Sequence, residues 1–345
     1  MSIKKVATYI LAIVFLIIPL AGLHAEESIK PSAPEITEFK DVFPSHDSYV
    51  AVAYLHQDGT IKGYADGTFG PDKSINRAET LKIILKGSKI NPTINVKAGI
   101  FPDVKSADWF ASYVAKAKDL KIVKGDEKTG NFVPTRQVNK AEFLKMLLIA
   151  NKIDVKSAQI TKKTPTDIPS DAWFAPYMKY AYERGIISAN SRGLLEPQKF
   201  LTRSEVSNMM YSLILIKNSA NTKFLLQRAQ AELAQIEIYI AASKFQKAKD
   251  TSEMAVSLTQ QAYKNMPKDK IVLSAAKIAK SYDWLVDALI YGINKDFKKA
   301  TEYANKSIDK ATEAWEVSNA VQPIARYIKD RARDVLKQVG GVENK

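Results

Sequence analysis

A four-residue motif occurs three times along the chain. It consists of a small polar residue, a basic residue, an alanine or serine, and a glutamate, in that order. The small polar residue can act as a helix N-cap, and the glutamate three positions later can complete a capping box. These pairs are Asn76 with Glu79, Asn139 with Glu142, and Thr202 with Glu205. Capping does not explain the cation at the first helical position, which the helix dipole opposes by about 0.3 to 1 kcal/mol. The recurrence of Arg77, Lys140 and Arg203 there indicates a second role.

Residues for other kinds of chemistry are scarce. The 345 residues include no cysteine and only three histidines, His24, His46 and His56. Disulfides, thiolate metal sites and a cysteine nucleophile are excluded, and a Ser-His-Asp triad or histidine metal site has almost no donors. We therefore expect a protein that is not an enzyme and binds no metal or cofactor. A glycoside hydrolase in the C-terminal half is the minor alternative. Its candidate carboxylates, Glu232, Glu237, Asp283 and Asp287, have spacings ordinary for helix surfaces.

The motifs belong to an internal repeat with a period of about 63 residues. Each unit opens with an acidic turn, at Asp41, Asp103 or Asp167, and an aromatic residue follows, at Tyr49, Trp109 or Trp173. An amphipathic segment and a tight turn come next, and the first unit has Gly63 and Gly67 in that turn. The capping motif and an apolar helix close each unit. Two helical segments per unit predict an all-α domain.

The N-terminus predicts export. Lys4 and Lys5 precede an apolar stretch, and a small-residue cleavage site follows, so residues 1–25 are expected to be a signal peptide and 26–38 a linker. A retained membrane anchor is the alternative; after cleavage no transmembrane segment is expected. The net charge of +14 is spread evenly over both halves, which disfavours nucleic acid and favours an acidic envelope. Solvated charge without a partner is an equal alternative.

These features resemble the S-layer homology family, whose repeats run from a Phe-x-Asp-Val opening through a Gly-Tyr-x-Asp-Gly-Thr-Phe turn to a Thr-Arg-Ala-Glu motif. The first unit is similar in its turn, residues 63–69, and in its capping motif, residues 76–79. Repeats are predicted at 39–92, 100–155 and 164–218. The resemblance implies a pseudo-threefold bundle in which each repeat lends one helix to a central core. It also implies a secreted, cell-wall or S-layer protein that binds secondary cell-wall polysaccharide, often pyruvylated, or a peptidoglycan-linked glycan.

The resemblance also implies roles for single residues. Arg77, Lys140 and Arg203, with the cap residues Asn76, Asn139 and Thr202, would bind a carboxylate of the glycan beside the helix N-termini. Trp109 and Trp173 would stack on sugars, with a place in the core as the alternative. The aspartates, the capping glutamates, Gly63 and Gly67 would support the motif. Because the second unit has a lysine and both later units have altered turns, the groove with Arg77 is expected to be the most complete.

The C-terminal half, residues 220–339, has a helical pattern. Breaks at Ser243, Pro267, Gly292 and Pro323 predict five helices in a separate domain of helical hairpins. Two turns, which start at Lys244 and Asp296, are weakly similar to the inter-helix turn of tetratricopeptide repeats. The leading hypothesis is a non-catalytic surface protein anchored to wall polysaccharide, with this half as a spacer or interaction module. The alternative is an envelope scaffold or assembly protein whose C-terminal helices bind a protein partner.

Overall fold

A computed structural model describes residues 39–93, 96 and 99–343. The predicted signal peptide and linker lie outside the described residues. Within them the fold is all-α, as predicted, and the extended pairs are three isolated β-bridges. Two compact units are present: the repeat unit, residues 39–43 and 51–216, and the helical unit, residues 44–50 and 217–343. No helix of the described residues is long and apolar enough to cross a membrane.

Each repeat contributes two helices. In chain order they are α1 Tyr49–Gln57, α2 Arg77–Gly87, α3 Ala111–Asp119, α4 Lys140–Ala150, α5 Ala175–Glu183 and α6 Arg203–Lys217. The second helix of each repeat is the more deeply buried, with apolar residues on most of its circumference, as expected for a helix in a core. The first helix of the following repeat packs on it, since α3 contacts α2 and α5 contacts α4.

A closed ring of backbone hydrogen bonds joins the three repeats just before their core helices. The Ile75 amide donates to Leu201 at 3.0 Å, the Leu201 amide to Val138 at 3.1 Å, and the Val138 amide to Ile75 at 3.4 Å. Their side chains are fully buried. The three residues are one sequence period apart, so the ring lies on a pseudo-threefold axis, and the predicted bundle is confirmed.

The predicted capping boxes start the core helices. The Asn76 and Asn139 side chains each accept from the amide of the glutamate three positions on, and that glutamate accepts from the cap amide. In the third repeat Thr202 accepts from the Glu205 amide at 3.3 Å, and Glu205 accepts from the Thr202 amide at 2.9 Å. The helix starts are therefore fixed by interactions only three residues apart in the chain.

The opening aspartate of each repeat holds the tight turn in place. Asp41 accepts from the amides of Phe69 and Gly70, both at 2.7 Å. Asp103 accepts from Phe132 and Val133 in the same way, and Asp167 from Leu195 and Glu196. Within the first turn Gly63 leaves no room for a side chain: a Cβ atom would lie 2.7 Å from the Thr68 carbonyl oxygen and 2.4 Å from the Phe39 ring. Gly67 has a positive φ of 81°.

One position of the turn is strained in two repeats. Gly70, Val133 and Glu196 are equivalent, and their φ angles of 70°, 57° and 54° lie in the left-handed region. A β-branched residue is disfavoured there by about 1–2 kcal/mol. We expect Val133→Gly to raise the free energy of unfolding by about 1 kcal/mol, measured by urea denaturation. Thr135→Gly, at an exposed turn position outside that region, is the control and should destabilise; equal losses in both variants would contradict the prediction.

The helical unit contains five α-helices in its described residues, as predicted. They are α7 Thr222–Ala241, α8 Phe245–Asn265, α9 Lys270–Ile293, α10 Phe297–Val317 and α11 Gln322–Val339, with a 3-10 turn at Asn319–Val321. Helices α7 and α8 form one hairpin and α9 and α10 another. Their turns share a backbone geometry, because Ser243 and Lys295 have φ angles of 58° and 61° at the same position.

The aromatic residue predicted for the first repeat was assigned wrongly. Trp109 and Trp173 each lie six residues after the turn-bracing aspartate, and that position in the first repeat is Asp47. Tyr49 lies at the start of α1 and is buried. In the helical unit Asp47 pairs with Lys244 at 2.8 Å, and the Tyr239 hydroxyl donates to the His46 carbonyl oxygen at 3.1 Å. A segment at the start of the first repeat thus belongs to the helical unit.

Carboxylates that were expected on helix surfaces are buried in the helical unit. Glu232, Glu237 and Asp283 are each less than 9 % exposed. Asp283 accepts from Lys249 and Lys280, both at 2.7 Å, and from the Ser252 hydroxyl at 2.8 Å. Glu237 accepts from the Tyr282 hydroxyl at 2.9 Å. The helical pattern alone missed this because ion pairs let a charged residue occupy an interior position.

Candidate functional site

The cation that starts each core helix reaches the turn of a different repeat. Arg203, at the start of α6, donates from Nε to the Phe69 carbonyl oxygen at 2.8 Å and from Nη2 to the Lys62 carbonyl oxygen at 3.0 Å. Its guanidinium carbon lies 4.8 Å from the Tyr64 ring centroid and 4.7 Å from that of Phe69. With 6 % of its surface exposed, Arg203 ties the third repeat to the turn of the first.

Arg77 makes the equivalent contact with the second repeat. Its Nη2 donates to the Lys124 carbonyl oxygen at 3.1 Å, and its guanidinium carbon is 4.9 Å from the Phe132 ring centroid. Its buried Nε has no hydrogen-bond partner in the described part of the chain. Burial lowers the pKa of Arg77, and the nearby Arg136 lowers it further, against the opposing effect of Glu142. The structure therefore leaves this cation partly unsatisfied.

Lys140 completes the cycle. Its ammonium donates to the Leu195 carbonyl oxygen in the third repeat at 2.6 Å, and burial lowers its pKa. The recurrence of a cation at this position thus has a structural reason: it joins neighbouring repeats. The repeat period indicated that this cation has a second role, but not that it joins neighbouring repeats. The sequence also paired Arg77 with the first turn, and the structure instead pairs that intact turn with Arg203.

We call the three clusters that this pairing brings together grooves 1, 2 and 3, each numbered by the repeat that supplies its turn. Groove 1 combines the turn residues Lys62 and Tyr64, Glu79 and Lys82 of α2, Arg203 of the third repeat and Trp109 of the second. Lys82 connects these parts: its ammonium is 5.2 Å from the Trp109 ring centroid. Burial lowers its pKa most, followed by the positive charges of Lys86, Lys62 and Arg203. Groove 1 therefore draws on all three repeats.

Groove 2 has the same parts except for the tyrosine, whose place in the turn is taken by Asp126. Its turn contains Lys124, its core helix α4 carries Glu142 and Lys145, and Arg77 enters from the first repeat. The Lys145 ammonium is 5.0 Å from the Trp173 ring centroid. Trp109 and Trp173 are 54 % and 52 % exposed, so neither belongs to the core.

Groove 3 differs from the other two. It contains Lys140 and Glu205, but the residue three positions after this glutamate is Asn208, where α2 and α4 have lysine. The position of the two tryptophans is Asp47, which pairs with Lys244 in the helical unit. The groove with Arg77 is therefore groove 2. Grooves 1 and 2 both have the cation, the lysine and the tryptophan, whereas groove 3 has only the cation.

The charges in the grooves are unbalanced toward positive. Arg136 pairs with Glu142 at 2.8 Å and Lys199 with Glu205 at 2.6 Å, so these capping glutamates are already neutralised. The groove cations Arg77, Lys82, Lys140 and Lys145 have no carboxylate within 4.0 Å among the described residues. Arg203 has one, Glu79, at 4.0 Å. Such clusters favour an anionic ligand. The described residues contain no group of three histidine or acidic side chains able to hold a metal.

Comparison with known proteins agrees with this architecture. Residues 38–81, 100–144 and 166–207 match the S-layer homology domain family. The chain is 31 % identical over 182 residues to S-layer protein EA1 of Bacillus anthracis, which covers 53 % of this chain and 20 % of that protein. It is 34 % identical over 151 residues to the middle cell wall protein of Brevibacillus brevis, covering 43 % and 13 %.

The repeats also occur in relatives named as enzymes. The chain is 27 % identical over 157 residues to an amylopullulanase of Thermoanaerobacterium thermosulfurigenes, covering 45 % of this chain and 8 % of the enzyme. The chain therefore spans a fifth or less of these three relatives. The aligned stretches of 151 to 182 residues are about as long as the repeat unit. The three repeats of the repeat unit therefore match three tandem S-layer homology domains, and relatives that share them are named as S-layer and cell-wall proteins.

Proposed function

We propose that the protein holds itself to the cell wall by binding an anionic glycan in grooves 1 and 2. The observation that carries this proposal is the set of cations without carboxylate partners that lie beside exposed tryptophans in both grooves. A carboxylate-bearing polymer, such as a pyruvylated secondary cell-wall polysaccharide, has the matching charge. Groove 3 keeps Lys140 but contributes less, because it lacks the lysine and the tryptophan.

We further propose that the helical unit is a non-catalytic spacer or interaction module. Paired acids in a glycoside hydrolase must be free to exchange protons with the substrate. Here Asp283 is held by two lysines and Glu237 by a tyrosine hydroxyl, and both are buried. Capture of a specific protein by this unit would favour the scaffold alternative.

Arg77→Ala tests the anchoring proposal. The full mature chain is titrated with purified cell walls and the bound fraction measured by sedimentation. Losing a charge-assisted hydrogen bond to the glycan should weaken binding by groove 2 about tenfold, with helicity by circular dichroism unchanged. Arg326→Ala is the control, because this exposed side chain lies in the helical unit; its binding should equal that of the wild type.

A chemical test addresses the ligand itself. Removing pyruvyl groups from the walls should reduce binding of the wild-type chain and abolish the difference between it and Arg77→Ala. Equal binding to treated and untreated walls would reject the carboxylate ligand. Equal binding of Arg77→Ala and wild type to untreated walls would remove Arg77 from the site.

A further inference from the structure

We infer that Lys82 and Lys145 contact the anionic group of the glycan, and that Trp109 and Trp173 position these lysines instead of stacking on sugar rings. This inference rests on the proposed function, because it assigns residues within the same grooves. Neither lysine belongs to the capping motif. The helical pattern gives them no role beyond that of half-exposed helix residues.

The geometry around each indole favours positioning of a lysine over stacking on a sugar. The Lys82 ammonium lies over the Trp109 ring at 5.2 Å, within the range of a cation–π interaction. Phe110 meets the same ring at 87° with the centroids 5.4 Å apart. Trp173 is surrounded in the same way, by Lys145 at 5.0 Å and Phe174 at 86°. A sugar could stack on the lysine-covered face only after the ammonium left it.

The charge around Lys82 favours an anionic ligand. Burial lowers the pKa of Lys82 most, the cations Lys86, Lys62 and Arg203 lower it further, and Glu79 acts in the opposite direction. Keeping like charges together without a counter-ion is unfavourable, and such arrangements concentrate at functional sites. An anion bound between Lys82 and Arg203 would relieve this repulsion.

The lysine and the tryptophan occur together. Both are present in grooves 1 and 2, whose lysines are one sequence period apart. At the equivalent positions of the third set both are replaced, by Asn208 and Asp47. A tryptophan that served as an independent sugar platform would not need the lysine. A tryptophan whose role is to position the lysine has no role in a groove where the lysine is absent.

The test uses the full mature chain and purified, untreated cell walls at several salt concentrations. The double variant Lys82→Gln, Lys145→Gln should bind about tenfold more weakly and show a smaller loss of binding as salt rises. The control Lys268→Gln, Lys298→Gln removes the same charge from exposed positions of the helical unit and should bind like wild type. If the groove lysine variant binds as the control does, the inference is rejected.

A second pair of substitutions separates positioning from stacking. Trp109→Leu, Trp173→Leu should weaken binding to about the same extent as the lysine variant, and should cause no further loss when added to it. An equal additional loss in the lysine background, independent of salt, would show that the indoles contact sugar and overturn the positioning role. If wild type itself does not bind walls, the proposed function fails; if wild type binds and the lysine variant binds equally, only this inference fails.

Discussion

Replacing Arg203 with alanine is expected to lower the free energy of unfolding of the full chain by about 3 kcal/mol. The guanidinium is buried and donates to the carbonyl oxygens of Phe69 and Lys62. Its removal leaves both carbonyls without that partner, at about 1–3 kcal/mol each where water cannot reach them, and removes its packing on the Phe69 ring. The variant therefore loosens the third repeat from the first turn.

Urea denaturation followed by circular dichroism measures this effect. Arg203→Lys should lie between wild type and alanine, because lysine keeps the charge but has no planar fork, and Lys140 reaches only Leu195 in the equivalent place. Arg192→Ala should change the free energy of unfolding by less than about 0.5 kcal/mol, since its ion pair with Glu196 is exposed. A loss in Arg203→Ala no greater than in Arg192→Ala would refute the assigned role.

The second large effect concerns the helical unit. Lys249→Ala should lower the free energy of unfolding by about 3–5 kcal/mol, because it removes one of the two cations that pair with the buried Asp283. It also removes the cation that pairs with Asp287 at 2.9 Å. Adding Asp283→Asn to Lys249→Ala should restore part of the loss by removing the buried charge. Lys298→Ala, at an exposed position, is the control. The idea fails if the double variant is no more stable than Lys249→Ala.

The same cluster predicts a pH dependence. Burial raises the pKa of Asp283, but hydrogen bonds from Lys249, Lys280 and Ser252 outweigh this and hold it below its usual value. A lowered carboxyl pKa stabilises the fold above its unfolded value of about 4, and that stability is lost as the pH falls below it. Burial raises the pKa of Asp287, so its protonation, which comes first, acts in the opposite direction. Thermal denaturation between pH 6 and 3 should show the acid loss in wild type and a smaller one in Lys249→Ala.

Local features of the fold were predictable because their hydrogen bonds span few residues. The capping boxes at Asn76 and Asn139 join positions three apart, so residue type and spacing are sufficient to identify them. The five helices of the C-terminal half follow from apolar spacing and from breaks such as Pro267. The repeat period predicted the symmetry that the backbone ring through Ile75 confirms.

The candidate site was only partly predictable. The cations, turns and tryptophans were identified, but their assignment to grooves was not, and Lys82 and Lys145 were missed. The signal for these lysines was present: both lie three residues after a capping glutamate, at equivalent positions of two repeats. Their proposed role depends on contact with a tryptophan of the following repeat. No local sequence pattern predicts that contact.

The recurring cation separates what the sequence determines from what the tertiary structure determines. Its position at the first turn of each core helix, opposed by the dipole, is determined by the sequence alone. The partner of Arg203, the Phe69 carbonyl, is 134 residues away, and only closure of the three-repeat ring brings them to 2.8 Å. Closure likewise pairs the intact first turn with the third repeat. The sequence therefore determined which groups exist and which helices carry them, whereas packing around the axis decided which repeats share a groove.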